Sequence, residues 1–165
     1  MGAFALREAV LCFAVDSFNE KVFLLRGRSG AWNGFYCDLV EGRAEDSVSR
    51  LLFDEGGLSV AASSLEKAGE LSLVFACAPE KNRLVHVWLA RSFARVSSKH
   101  AGSAASAFRF DELPKLSWGG GEWLPELLRG GRVSGVIVFS GADSSKACNV
   151  SVVVLPREAD LNDFH

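Results

Sequence analysis

One short amphipathic segment that ends at two glycines is the feature that most constrains this chain. Residues 44–55 predict a helix because their apolar side chains recur at intervals of three and four positions. The side chains on this predicted inner face are Val48, Leu51 and Leu52. Gly56 and Gly57 follow at once, and glycine readily adopts the left-handed backbone that ends a helix. The chain must therefore provide an apolar surface on which this helix packs.

The rest of the chain is rich in segments that predict β-strands. β-Branched and aromatic residues dominate them, and turn-forming residues separate them. The predicted strands are 8–15, 21–25, 35–40, 65–78, 83–93, 108–110, 133–139 and 148–155, with a second helix at 122–129. In the sequence, predicted strands precede, separate and follow the two predicted helices. This order indicates the α/β class, with a mixed sheet flanked by helices. We expect residues 1–165 to form a single domain.

Composition excludes several classes of protein. A hydrophobic fraction of 48% favours a folded domain, and a net charge of -2 gives no general attraction to nucleic acid or to membranes. The cysteines stand far apart with no C-x-x-C pair, so neither a zinc site nor a disulfide framework is indicated. We find no secretory leader and no apolar run long enough to span a membrane, and we expect an intracellular, cytoplasmic protein.

The stretch from Trp32 to Leu58 resembles the Nudix box of the MutT-like pyrophosphohydrolases, whose pattern is G-x5-E-x7-R-E-U-x-E-E-x-G-U with U a bulky aliphatic residue. Arg50, Asp54 and Glu55 fall on the arginine and the last two glutamates of that pattern. The layout is most similar to that of the oxidised-purine (8-oxo-dGTP) nucleoside triphosphatases. This resemblance implies a Nudix-type α/β/α sandwich. The box is degenerate, since Cys37, Arg43 and Leu51 stand where the pattern has glycine, glutamate and glutamate.

The resemblance implies that Arg50, Asp54 and Glu55 are the catalytic residues, with Asp54 and Glu55 as ligands of Mg2+ or Mn2+. Nudix enzymes hydrolyse a phosphoanhydride with divalent ions held by helix carboxylates, which neutralise phosphate charge and activate water. Positions 51 and 55 are one helical turn apart and lie on the same face, where two glutamates would grip the ion together. Leu51 removes one of them. Glu41 and Glu45 are the nearby acids left to compensate.

The resemblance also implies a nucleotide site. Asn33 would hydrogen-bond the purine edge, Trp118 would stack on the base, and Phe35 belongs to the same substrate site. Arg26 and Arg28 would lie beside the phosphates. For Trp118 the alternative is an ordinary core aromatic residue, and for the two arginines it is a solvated loop.

Two further features leave alternatives open. Residues 81–110 contain six basic residues and no acid, which predicts either a phosphate-binding patch or a charged sheet edge. His86 lies in a strand with two apolar faces, a setting more typical of a hydrogen-bonded core histidine than of a catalyst.

Two functional hypotheses follow. The first is a nucleotide-binding protein derived from a nucleoside triphosphate pyrophosphohydrolase whose hydrolysis is weakened or lost, with a phosphate-containing small molecule, an RNA or a protein in an assembly as its partner. The alternative is an active, atypical hydrolase that converts a nucleoside triphosphate such as 8-oxo-dGTP to the monophosphate and pyrophosphate. A cofactor, Mg2+ or Mn2+, is expected only if the chain is active.

Overall fold

A computed structural model describes residues 7–27, 29–96, 105–141 and 147–156. These residues form eleven strands and two α-helices. The strands are β1 (Arg7–Asp16), β2 (Lys21–Arg26), β3 (Trp32–Asn33), β4 (Phe35–Asp38), β5 (Leu58–Ser59), β6 (Leu65–Phe75), β7 (Arg83–Ala90), β8 (Ala94–Arg95), β9 (Ala105–Arg109), β10 (Gly131–Phe139) and β11 (Ala147–Pro156). The helices are α1 (Ala44–Gly56) and α2 (Gly120–Leu128).

Nine of the strands form one mixed sheet in the order β11-β10-β6-β7-β1-β2-β3, with β4 paired to β1 and β9 paired to β2. Strand β7 lies between β6, with which it pairs antiparallel, and β1, with which it pairs parallel. This central position agrees with the two apolar faces predicted for the strand. Strands β5 and β8 form a separate two-stranded sheet beside the end of α1.

The sheet buries both of its faces. Residues of β1 alternate between two hydrophobic clusters, which places the clusters on opposite sides of the sheet because successive side chains of a strand point in opposite directions. One cluster contains Val48 and Leu52 of α1, and the other contains Trp123 and Leu124 of α2. The α/β class and the sandwich with helices on both sides are thus confirmed.

Element boundaries differ from the prediction mainly at strand ends. Strand β4 ends at Asp38 instead of continuing to residue 40, and Val40 is exposed. Strand β6 ends at Phe75, three residues before the predicted end, because a turn of 3-10 helix at Pro79–Lys81 leads into β7. The short pairs β3 and β5–β8 have no separate sequence signal. In the described part of the chain, neither helix is long and apolar enough to cross a membrane.

The basic residues of 81–110 are largely paired with acids from other parts of the chain. Arg83 contacts Asp38 at 3.0 Å, and Arg91 contacts Glu66 at 3.6 Å. Arg109 contacts Asp111 just beyond the stretch, at 3.2 Å. Lys99 lies outside the described residues. The fold therefore supplies the carboxylates that the local sequence lacks, which favours the charged sheet edge over a phosphate-binding patch.

Candidate functional site

Helix α1 ends as the two glycines predict. Gly57 adopts φ 64° and ψ 32°, and its N–H donates to the carbonyl groups of Leu52 and Phe53. This left-handed closure satisfies the last carbonyls of the helix without a Cβ penalty. Val48 and Leu52 are fully buried, whereas Leu51 is half-buried and packs against the edge of the same cluster. The predicted inner face of α1 is confirmed, with Leu51 at its margin.

The buried ring of Phe35 packs against the C-terminal end of α1. Its side chain is 0% exposed, and a Cβ added at Gly56 would lie 2.8 Å from its ring. The close approach of helix and ring requires a glycine at position 56, because any side chain there would displace one of them. The structure therefore places Phe35, predicted to bind substrate, beneath α1 in the hydrophobic cluster that also receives Val48.

The predicted catalytic residues of α1 all lie at the surface. Arg50, Asp54 and Glu55 are exposed, and among the described residues no ion pair joins Arg50 to Asp54, although their spacing would allow one. Successive positions of a helix point about 100° apart, so Asp54 and Glu55 diverge instead of stacking. On the face shared by positions 51 and 55, the partner of Glu55 is the aliphatic side chain of Leu51.

The remaining acids near α1 do not restore the set of metal ligands. Glu45 contacts Arg43 at 3.5 Å at the start of the helix, about 15 Å along the axis from Glu55 at the usual helical rise. Glu41 is exposed in the loop before the helix. The described residues contain no group of three or more His, Cys, Asp or Glu side chains arranged to hold a metal ion. The acids of α1 and of the loop before it are thus not clustered in the described structure.

Backbone pairing joins the two segments that carry Asn33 and Trp118, the residues expected to contact a base. Trp32 N–H donates to the carbonyl of Lys115 at 2.9 Å, and Ser117 N–H donates to the carbonyl of Trp32 at 3.0 Å. This pairing places the segment before α2 beside Asn33. Asn33 Oδ1 accepts a hydrogen bond from Gly34 N–H at 2.8 Å, which fixes the carboxamide at the edge of β3.

Trp118 lies in the hydrophobic cluster on the α2 side, opposite to α1. Only 6% of its surface is exposed. The Tyr36 ring meets the Trp118 ring edge-to-face, with 5.3 Å between the ring centroids. The Phe139 ring also meets the Trp118 ring edge-to-face, with 6.5 Å between the centroids. Sequence reasoning missed Tyr36. Successive side chains of β4 point to opposite faces of the sheet, so Tyr36 points away from Phe35 and toward α2. This alternation is the sequence signal that identifies the face on which Tyr36 lies.

Of the two arginines expected beside the phosphates, the structure describes Arg26. Arg26 is exposed at the end of β2, and its Nη2 lies 3.9 Å from the position of a Cβ at Gly30. Its guanidinium thus reaches toward the loop that follows β2. Arg28 lies outside the described residues.

Burial suppresses the ionisation of three polar side chains near these elements. Desolvation, with a smaller effect of the Asp38 charge, raises the pKa of Tyr36 to about 12. Burial likewise raises the pKa of the Cys37 thiol and of the fully buried Cys12 thiol. Neither cysteine has the lowered pKa of a nucleophilic thiol.

His86 is hydrogen-bonded on both ring nitrogens. Its Nε2 lies 2.6 Å from Glu8 Oε1, and its Nδ1 lies 2.8 Å from Lys67 Nζ. Because an ammonium group only donates, Nδ1 accepts and Nε2 carries the proton. The histidine thus joins strands β1, β7 and β6 by polar contacts, as the hydrogen-bonded alternative predicts.

Comparison with known proteins identifies the fold. No protein-family model and no curated protein matches the sequence at a significant level. Among solved structures, a mutator MutT protein from Bacillus halodurans is 20% identical with a TM-score of 0.67, covering 90% of this chain and 97% of that one. A MutT Nudix hydrolase from Burkholderia pseudomallei is 18% identical with a TM-score of 0.53, covering 74% of this chain and 96% of its own.

A Nudix hydrolase from Nitrosomonas europaea is also similar, at 16% identity and a TM-score of 0.52, covering 65% of this chain and 74% of that one. Each of these structures is a MutT or Nudix protein. The chain therefore has the fold of the Nudix hydrolases. A shared fold does not by itself establish a shared reaction, since function depends on the residues of the site.

Proposed function

We propose that this protein binds a nucleotide or another phosphate-containing small molecule through a Nudix fold, and that its metal-dependent phosphoanhydride hydrolysis is weakened or lost. One observation carries the proposal: Leu51 occupies the helix position that faces the same way as Glu55, and it packs on the hydrophobic cluster beneath α1. A hydrocarbon side chain cannot bind a hard cation, which prefers oxygen ligands.

The other acids support the same conclusion. Asp54 and Glu55 diverge around the helix, Glu45 is occupied by Arg43 at the far end, and the sequence from 81 to 110 has no acid to contribute. Loss of one ligand or of its supporting groups typically costs 10- to 100-fold in metal affinity or activity. We therefore assign no catalytic step to α1, and we assign the attraction of phosphate groups to the guanidinium groups of Arg50 and Arg26.

The polar groups that would contact the ligand lie on two elements. Arg26 ends β2, and Asn33 lies on the adjacent β3, to which β2 is paired antiparallel at Arg26 and Trp32. A guanidinium offers several donors to phosphate oxygens, and a carboxamide offers both a donor and an acceptor to a base. Arg26 is exposed and Asn33 is half-buried, and β3 is the last strand in the described order of the sheet.

Substitution of Glu55 by glutamine separates this proposal from an active hydrolase. We expect the wild type to bind nucleoside triphosphates without appreciable turnover in Mg2+ or Mn2+, and Glu55→Gln to change the dissociation constant by less than about threefold, because exposed charges contribute little. Binding is measured by calorimetry, and turnover is measured over nucleoside triphosphates, their 8-oxo forms, nucleotide sugars, dinucleoside polyphosphates and capped RNA.

Glu45→Gln provides the matched control, since it removes a carboxylate from the opposite end of the same helix. Substantial turnover that Glu55→Gln abolishes and Glu45→Gln retains would contradict the proposal. It would establish instead an atypical hydrolase of the 8-oxo-dGTP diphosphatase type.

A further inference from the structure

The surroundings of Trp118 bear directly on which ligands this fold accepts. A nucleotide base binds to an aromatic side chain by stacking on its ring face, which requires free ring surface. Trp118 is 6% exposed, so the chain itself already covers almost all of that surface. Two of the side chains that contact its ring are the aromatic residues Tyr36 and Phe139.

The backbone at Trp118 adopts a constrained conformation. The residue adopts φ 59°, an uncommon conformation for a bulky side chain, and Gly119 continues it with φ 68°. Trp123 Nε1 donates a hydrogen bond to the Trp118 carbonyl at 3.1 Å. The backbone at Trp118 is thus constrained, and the close packing of the buried indole opposes its rotation toward a ligand.

Tyr36 is the neighbour of Trp118 that reaches the surface. Phe139 is 0% exposed in the interior of the sheet, whereas Tyr36 is half-buried on β4, which pairs only with the first half of β1. The two rings meet at 5.3 Å with an interplanar angle of 85°. Of these two rings, the phenol of Tyr36 is therefore the one that a ligand from solvent would have to displace to reach the indole.

We propose that Tyr36 covers the surface of Trp118 on which a base would stack, and so acts as a specificity-determining residue that excludes the base. This inference rests on the proposed function, and it specifies which part of the nucleotide the site recognises. The wild-type site binds the phosphate chain, and the base adds little. The phenol of Tyr36 is neutral at physiological pH, and burial, which raises its pKa, is consistent with its packing against the indole.

Calorimetric titration with dGTP and with inorganic triphosphate, which has no base, tests the proposal. In Tyr36→Ala we expect dGTP to bind at least about tenfold more tightly than to the wild type, because stacking contributes roughly 1–3 kcal/mol per base. Binding of inorganic triphosphate should stay within about twofold, since no stacking is involved. Tyr36→Phe keeps the ring and should resemble the wild type for both ligands.

Phe108→Ala is the control for loss of an aromatic contact elsewhere. Phe108 is also half-buried and meets a tryptophan edge-to-face, but that tryptophan is Trp32, at 4.8 Å. This variant should lose stability without gaining dGTP affinity. If Tyr36→Ala does not fold, Tyr36→Val keeps the strand propensity and removes the ring.

Equal dGTP affinity in the wild type and in the variant without the ring would overturn the role of Tyr36 and leave the proposed function intact. If neither dGTP nor inorganic triphosphate binds to any of these proteins, the proposed function fails and this inference fails with it.

Discussion

Leu51→Glu is expected to raise metal-dependent hydrolysis of nucleoside triphosphates on the order of 10²-fold, the effect typical of a restored metal ligand. Positions 51 and 55 lie one turn apart on α1, so two carboxylates there would face the same ion. Leu51 is half-buried at the margin of the helix face, where a longer side chain can extend toward solvent. Pyrophosphate release in Mg2+ measures the change.

Two variants isolate the carboxylate as the cause. Leu51→Gln has the same length as glutamate but no charge, and should show no gain. Leu51→Glu combined with Glu55→Gln should lose the gain. Because a carboxylate replaces an apolar contact, we expect a loss of about 1–3 kcal/mol in the free energy of unfolding, so rates are compared where both proteins are folded. A folded Leu51→Glu that hydrolyses no faster than the wild type would refute the assignment.

Gly69→Ala is expected to lower the free energy of unfolding by at least about 3 kcal/mol. Gly69 has φ 141°, and a Cβ there would lie 1.9 Å from the carbonyl oxygen of Val133 on β10. The residue also follows the register shift between Lys67 and itself in the pairing of β6 with β7. An added methyl group must therefore push β10 away or abolish the bulge.

The large effect follows from the position of β6 in the sheet. Strands β10 and β11 join the rest of the sheet only through β6 in the described order. Urea denaturation followed by tryptophan fluorescence measures the loss.

The control for this substitution is Gly121→Ala in α2, where a Cβ meets nothing within 4 Å. It should be neutral or stabilising by up to about 1 kcal/mol, because alanine favours helix more than glycine does. If Gly69→Ala destabilised the protein no more than Gly121→Ala does, the close packing of β6 on β10 would be wrong.

Local patterns predict much of this fold. The helix α1 follows from the spacing of Val48 and Leu52 and from the left-handed closure at Gly57, all within one short segment. The antiparallel pairs β6–β7 and β10–β11 join strands that are predicted from local runs of β-branched and aromatic residues. Each of these features depends on neighbours in sequence, where period and turn chemistry are visible.

Contacts between distant segments have no such signal. The pairs Arg83–Asp38 and Arg91–Glu66 neutralise a stretch that appears uniformly basic in sequence. Strand β4 ends at Asp38, which pairs with Ala9 of β1, and this register is not contained in local propensity.

The candidate site also has one feature that is predictable from local sequence and one that depends on contacts between distant segments. The absence of a carboxylate at Leu51 is evident from the spacing of α1, and its consequence follows from helix geometry. The contact of Tyr36 with Trp118 depends on which face of β4 turns toward α2 and on the segment that leads into that helix. Aromatic residues in the sequence alone do not distinguish a free stacking surface from a covered one.

Titration with Mn2+, followed by electron paramagnetic resonance of the free ion, tests most directly whether Leu51 deprives α1 of its metal. We expect the wild type to leave the free-ion signal unchanged over the concentration range in which Leu51→Glu takes up the ion. Uptake of Mn2+ by the wild type with the same affinity as Leu51→Glu, lost in Glu55→Gln, would show that α1 holds the ion without a carboxylate at position 51.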